Sequence, residues 1–419
     1  MPLRSLIAWV ALFFSTALAA IEPPRTLDDF SDASRWTASS SDQVSATLRE
    51  AGDGLCLAYD FHGVSGYASM RRPLALAYPS DYEFDVRVRG RGPENALQFK
   101  LTDAANENVW WVNRGAFPPP ADWTLLRFKK REISFAWGPL ADHDLHRSEA
   151  IEFTVYADKG GAGEICLADL VFRERAPLPA VLPKLEASAS SSQRAAPAGN
   201  AVDGDPATFW QSARGGEQSL TLDLGFDREF GGLVLHWHGD AYASKYDIAV
   251  SGDAKEWRIV RRVMVGNGGA DPLYLPESEA RYVRISMHGR DRGYALDEIE
   301  LKDLAFGASA NAFFSALAKS APRGWYPRGF YDEQTYWTVV GVDGGHETGL
   351  FSEDGALEVS RGGFSIAPIV AEPDGTLTTW ADAHIRHWLD LNSLPIPKAI
   401  WEARGFRLTA SAFSYCLCI

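Results

Sequence analysis

Positive charge is scarce in this chain. Its 419 residues carry 41 Lys and Arg against 55 Asp and Glu, for a formal net charge of −14 and a pI near 5.2. That balance argues against nucleic-acid partners and against binding to anionic membranes, because both are held by basic surfaces. Cysteine is also scarce, with four in all. No C-x-x-C pair and no Cys/His cluster at zinc spacing occurs. Catalytic signatures are missing: there is no G-x-S-x-G, H-E-x-x-H, phosphate loop or dinucleotide fingerprint. Long apolar runs are absent after the first twenty residues. There, Leu6–Leu18 follows Arg4 and is shorter than the ~20 residues a membrane span needs. Ala17-Leu18-Ala19 fits the small-x-small cleavage rule. Residues 1–19 therefore read as a signal peptide, with an uncleaved N-terminal anchor as the alternative. The mature chain is expected to be soluble and secreted or periplasmic.

Aromatics are plentiful: 12% of residues, 14 of them Trp. Such rings can stack on sugars or fill the core of a β-sandwich. Export would place the chain in an oxidising compartment. Cys56 and Cys166 lie in strand-like runs, LCLAYDF and ICLADLVF. If those strands are neighbours, a bridge would close a loop of about 110 residues, worth up to ~4–5 kcal/mol in the chain-entropy model. Two separate buried thiols are the alternative.

Residues 21–175 read as short strands punctuated by Gly, Pro and Asp. EFDVRVRG, ALQFKLTD, TLLRFKKREI and IEFTVYAD alternate or run apolar, which suits a β-sandwich or jelly roll. TLDDFSDASRWTAS, LCLAYDF and the closing CLADLVF resemble jelly-roll sugar-binding modules with a galactose-binding-like fold. Residues 176–184 begin a Pro/Ala/Ser-rich linker. A second module spans 185–304, with strands in SLTLDLG, GGLVLHWHG, KYDIAVSGDAKEWRIVRRV, ARYVRISM and LDEIELKDL.

Near its start, NAVDGDPATFW packs Asp203, Gly204, Asp205 and Thr208 into a short loop ending in Trp210. Oxygen ligands that dense, around a Gly that permits a sharp turn, suit a hard cation such as Ca²⁺, although an ordinary Asp/Gly/Pro turn has the same composition. NAVDGDPATFWQS, SLTLDLG, GLVLHW, YDIAVSGDAKEW, RYVRISM and LDEIEL, in that order, resemble the discoidin or coagulation factor V/VIII type C domains. The resemblance implies a jelly roll with ligand-binding loops at one end, a carbohydrate or polysaccharide ligand, and a structural calcium. It places side-chain oxygens of Asp203 and Thr208, carbonyls of Ala201 and Asp205, and the carboxylate of Glu298 around that ion. It also points to His238, Tyr242, Arg290 and Arg292 for carbohydrate, with Trp210 or Gln211 as further candidates. Trp237 and Trp257 fall where the family places core aromatics. Membrane insertion is not expected, because these loops carry Asp, Arg, Gly and His in place of an exposed apolar spike.

NAFFSALA (311–318) predicts a short helix capped by Asn311. From there to residue 419, D-G and G-G turns separate β-rich runs. YWTVVGVDGG, LFSEDGALE, TWAD and LPIPKAIWE resemble the start of the β-supersandwich in six-hairpin glycosidases. The chain ends in a strand-like run with Cys416 and Cys418, so a truncated or frameshifted enzyme is one expectation and a closing edge strand the other. Asp332-Glu333, Glu353-Asp354 and Asp382 read as turn and surface carboxylates, because a glycosidase needs two carboxylates facing across a cleft ~5–9.5 Å wide. His384 and His387 lack a carboxylate or Cys companion for a metal. The expected architecture is all-β: tandem jelly-roll sandwiches and a partial β-supersandwich. The expected function is exported, non-catalytic carbohydrate binding, as the targeting part of a glycoside hydrolase. The rivals are an active glycoside hydrolase and a protein-binding adhesion module.

Overall fold

A computed structural model describes residues 22–415 apart from positions 291, 346, 393 and 404. The expected signal peptide and the residues Cys416 and Cys418 lie outside the described residues. The chain divides into two compact units, Met1–Leu182 and Pro183–Ile419. Among the described residues no helix is long and apolar enough to cross a membrane.

The first unit is a sandwich of two six-stranded antiparallel sheets. One sheet runs Ser45–Glu50, Leu55–Asp60, Ala162–Glu174, Tyr82–Arg91, Thr124–Lys129, with Arg25–Asp28 also on Ala162–Glu174. The other runs Ser134–Trp137, Val109–Phe117, Asn95–Thr102, Arg147–Tyr156, Tyr67–Ala77, Thr37–Ser40. Side chains alternate across each strand, so one parity faces the core. Phe84, Val86 and Val88 from the first sheet meet Leu97, Phe99, Ile151 and Phe153 from the second in one buried cluster. Phe99 and Phe128 stack at its centre, 4.6 Å between ring centroids. Cys56 and Cys166 are direct cross-strand partners and are joined by a disulfide that spans 110 residues of sequence.

The second unit holds a seven-stranded sheet wrapped around a core of its own. Gln218–Trp237 and Ala270–His288 are its long members, of 20 and 19 residues. Their pairing shifts register between Asp223 and Arg228 and again between Phe230 and Gly232. Such irregularities bend strands, so each long strand serves both layers. Leu220, Leu222 and Ile285 from one stretch and Leu233, Leu235 and Leu273 from the other fill the same core. Gly232 sits where backbones crowd: a Cβ there would stand 2.4 Å from the Leu273 carbonyl oxygen and 2.6 Å from the Phe306 ring. Trp237 belongs to the core, but Trp257 does not. It is half-buried beneath the Arg284 guanidinium, 3.7 Å from the ring centroid, because its turn leaves the sheet at an edge.

The helix runs Ala310–Ser320, and its cap is Ser309, not Asn311. Ser309 is extended and its Oγ accepts from the Ala312 backbone N–H at 3.0 Å, the geometry a cap requires. Phe313 packs with Val234 and Phe306, which fastens the helix to the jelly roll. Beyond it lie small antiparallel sheets of four, two and three strands. The D-G turns punctuate them as the sequence suggests, with Gly355 and Gly375 at φ of 83° and 85°.

Replacing both Cys56 and Cys166 with Ser releases the 110-residue loop. The first unit should lose about 4–5 kcal/mol, read as a lower denaturant midpoint. An unchanged midpoint under reducing and oxidising conditions would show that the bridge contributes nothing.

Candidate functional site

The 198–209 segment starts as a 3₁₀ turn, Ala198–Val202, and continues through Asp203 and Gly204, whose φ is 75°. Its carboxylates organise its own backbone. Asp203 Oδ1 accepts from Asp205 N–H and Asp205 Oδ1 from Ala207 N–H, each at 2.9 Å. The Thr208 hydroxyl lies 2.8 Å from Asp203 Oδ2 and 3.2 Å from the Asp205 carbonyl oxygen. Glu298 reaches the loop from the last strand, its Oε2 accepting from Gly204 N–H at 3.0 Å. Trp210 anchors the loop end: it is fully buried, and its indole N–H donates to the Ser191 carbonyl and the Ser192 hydroxyl. That burial removes Trp210 from the candidates for direct ligand contact.

The last strand delivers Glu298 through a bulge. His236 pairs with Glu298 but Trp237 pairs with Leu296, which leaves Asp297 as the extra residue. Bulges re-aim side chains, and here Asp297 points to His238, whose Nδ1 lies 2.6 Å from Asp297 Oδ1. The His238 ring is stacked on Phe209, with centroids 4.0 Å apart and planes 11° from parallel. Thus the cation-type loop and the His238 turn share a wall made of Phe209 and Asp297. Sequence reasoning missed both residues. The available signal was an aromatic next to Trp210 and a second carboxylate next to Glu298.

The other expected ligands cluster on the neighbouring turns. Arg290 Nη1 donates to the backbone carbonyls of Asp240 and Tyr242, and Tyr294 Oη receives the Arg290 backbone N–H at 3.0 Å. Arg290 Nε is buried without a hydrogen-bond partner among the described residues. Arg290 therefore locks the 238–242 turn to the 288–294 turn. Tyr242 is half-buried against Gly268, where a Cβ would come within 2.6 Å of its ring. His238 and Arg292 are exposed. Gln211 is half-buried, and its backbone is bonded to Ala196 and Gln193.

Electrostatics single out Glu298. Partial burial pushes its carboxyl above the ordinary range, and the nearby Asp203 charge pushes the same way. Among the described residues neither Asp203 nor Glu298 has a basic ion-pair partner. The donor set is two carboxylates, a hydroxyl and nearby carbonyls, short of positive charge, and it fits a hard cation held by oxygen.

The acidic pairs after residue 320 are engaged elsewhere. Arg328 forms a two-point ion pair with Asp354 at 2.8 and 2.9 Å and reaches Glu333 at 3.2 Å. Asp382 Oδ2 caps the Thr379 backbone N–H at 2.9 Å. His387 Nε2 lies 2.7 Å from the Glu353 carbonyl oxygen. Arg328, Glu333 and Asp354 line a cavity of about 720 Å³ that includes Trp325, Trp380 and Trp401.

Residues 186–299 match the F5/8 type C domain family, and this part of the all-β chain is a discoidin-type jelly roll. A polysaccharide lyase 8 family protein of Enterococcus faecalis is 38% identical over 69 residues, 16% of this chain and 5% of that protein. The chain thus spans only a small fraction of that curated relative. Among solved structures, chitosan-binding module 1 of a chitosanase/glucanase from Paenibacillus sp. IK-5 is 35% identical, covering 29% of this chain and 94% of the module, with a TM-score of 0.27. Module 2 of the same enzyme, in complex with chitotriose, is 32% identical over 29% of this chain and 97% of the module, with a TM-score of 0.28. The family 32 carbohydrate-binding module of Clostridium perfringens NanJ, in complex with galactose, is 20% identical over 28% of this chain and 92% of the module, with a TM-score of 0.26.

The raised carboxyl of Glu298 gives a pH signature. Its folded form binds a proton more tightly than the ordinary carboxyl of 4.5, so it adds stability below that pH and loses it as pH rises through the folded value. In chelator, Glu298→Gln should therefore melt above the parent at neutral pH. The difference should vanish as pH falls below about 4.5. Parallel melting curves of the two proteins from pH 7 to 4 measure this.

Proposed function

We propose that residues 186–299 bind carbohydrate through the turns at 236–242 and 288–294, and that calcium holds the adjoining loop. The observation that carries this reading is the convergence of His238, Tyr242, Arg290 and Arg292 at one end of a domain of the F5/8 type C family. Arg290 acts through the backbone it clamps. His238 and Arg292 are left free to meet hydroxyls, and Tyr242 supplies a ring edge or face. Asp297 orients the His238 ring, so its outer nitrogen faces the ligand with a defined hydrogen-bonding role. In this reading Asp203, Thr208 and Glu298, with the carbonyls of Ala201 and Asp205, hold Ca²⁺. The ion supplies charge balance and stiffens the wall on which His238 stands. Secretion follows from the expected signal peptide, and the chain serves as the carbohydrate-targeting part of a polysaccharide-degrading enzyme.

Titration calorimetry of the whole chain in Ca²⁺, with chitotriose and with galactose, tests the reading. His238→Ala and Arg292→Ala should each weaken binding by about tenfold, the cost of a hydrogen bond to a polar or charged group. Binding that both variants leave intact would move the site elsewhere, and no binding by the parent would remove the carbohydrate reading. EDTA should lower the parent melting temperature and leave Glu298→Gln nearly unmoved. A parent melting temperature indifferent to EDTA would eliminate the ion.

A further inference from the structure

The first unit carries a second polar surface that the loop site does not use. Its strands present one parity to the core, so the other parity of the second sheet faces outward. Register aligns these outward residues into rows that cross the strands. One row reads Thr37, Arg71, Glu152, Lys100 and Trp111. The adjacent row reads Ser39, Ser69, Thr154, Gln98 and Asn113. Tyr67 and Tyr156 are paired one row beyond on one side, and Trp137 lies one row beyond on the other, opposite Val109. All of these but Thr37 and Thr154 line a groove of about 610 Å³.

A solvated outer face would leave its polar groups wet, and this one does not. Ser69, Thr154 and Thr102 are at most 1% exposed and Gln98 is 6% exposed, although all four are on the outward parity. The aromatic rims are exposed instead: Trp137 by 47%, Tyr156 by 45% and Tyr67 by 38%. Trp111 and Trp137 meet edge to face at 5.5 Å. Polar side chains along the lining, Gln98, Asn113 and Arg71, between open aromatic faces match a ligand that has hydroxyls on its edges and apolar ring faces. Rows two residues apart lie ~6.6–6.8 Å from one another, and six strands at ~4.8 Å spacing give a groove that can take several linked sugars.

Charge narrows the ligand further. Lys100 is neutralised by Glu152 at 3.1 Å, and Thr154 Oγ1 donates to the same carboxylate oxygen at 2.6 Å. Arg71 has no such partner. Its Nη2 donates to Thr102 Oγ1 at 3.0 Å, its Nε is buried without a partner, and it makes no ion pair with a described residue. The groove therefore holds one uncompensated cation beside the side-chain amides of Gln98 and Asn113. The chain's net charge of −14 opposes an anion at long range, but that field is screened beyond about 8 Å at physiological salt.

We propose that this groove binds an extended glycan bearing a carboxylate, with the acid group facing Arg71 and sugar rings on Trp137 and Tyr156. The proposal stands apart from the loop site and does not need it. Affinity electrophoresis of the full chain tests it, in gels holding polygalacturonate or its methyl ester. Four proteins are compared: the parent, a Trp137→Ala/Tyr156→Ala groove variant, Arg71→Gln, and a His238→Ala/Arg292→Ala loop variant. Polygalacturonate should retard the parent and the loop variant alike. The groove variant should bind about tenfold or more weakly. Arg71→Gln should bind the acid and the ester equally, while the parent prefers the acid. Because the three groove residues are exposed or only half-buried, folding should survive, and Arg71→Gln gives a selectivity readout that unfolding could not mimic. The proposal is overturned if the parent ignores polygalacturonate, if the groove variant is retarded as strongly as the parent, or if only the loop variant loses retardation. The last result would leave the loop reading standing alone.

Discussion

One surplus residue, Asp297, organises the working end of the discoidin-type domain. A regular last strand would put Glu298 and Asp297 on opposite faces in strict alternation. The bulge breaks that alternation just where Trp210–Gln211 joins the sheet beside Leu296 and Ala295. As a result two consecutive carboxylates are both used: Glu298 takes the Gly204 N–H and Asp297 takes the His238 ring. Trp210 makes the arrangement rigid, since a fully buried indole with two hydrogen bonds leaves its loop little freedom to open. The strand pairing, the cation-type loop and the His238 turn are therefore one mechanical assembly.

This assembly explains what could be read from the residues and what could not. Period-two alternation and D-G turns are local signals, and they located most strands of both units. The long strands were harder. SLTLDLG and GGLVLHWHG read as separate elements but form one strand, Gln218–Trp237, because the turn-like residues between them, Gly225 with φ of 83° among them, bend the strand at its register shifts without ending it. The helix cap slipped by two positions for a similar reason: Ser309 and Asn311 are both good caps, and only the extended backbone at Ser309 decides between them. Trp257 looked like core because burial of Trp is the common outcome, yet its turn offers only an Arg284 guanidinium for cover. The crowding of oxygens between Asp203 and Thr208 was legible because they lie within a few residues of one another. Phe209 and Asp297 were not, since their importance arises from a stack and a bulge between distant segments.

The groove of the first unit is the extreme case of that difference. Arg71, Lys100, Glu152 and Trp111 come from four strands, and each alone reads as the polar, solvent-facing half of an amphipathic strand. Register places them in one row, and only then does the charge imbalance become visible. The disulfide lies in the other sheet of this unit and links neighbouring strands that are distant in sequence.

The two surfaces are held in place by different means. A sheet fixes its side chains by hydrogen-bonded register, so a ligand entering the groove orders little that was loose. A loop site must be stiffened first. At the loop end that stiffening comes from Arg290 on the carbonyls of Asp240 and Tyr242, Phe209 under His238, and Glu298 on the Gly204 backbone N–H. Partial burial, with the Asp203 charge pushing the same way, raises the Glu298 carboxyl, and this same carboxyl ties the loop to the strand whose bulge carries Asp297 to His238. The two surfaces therefore differ in how they are held, the groove by strand register and the turn cluster by an arginine clamp, a ring stack and a bulge.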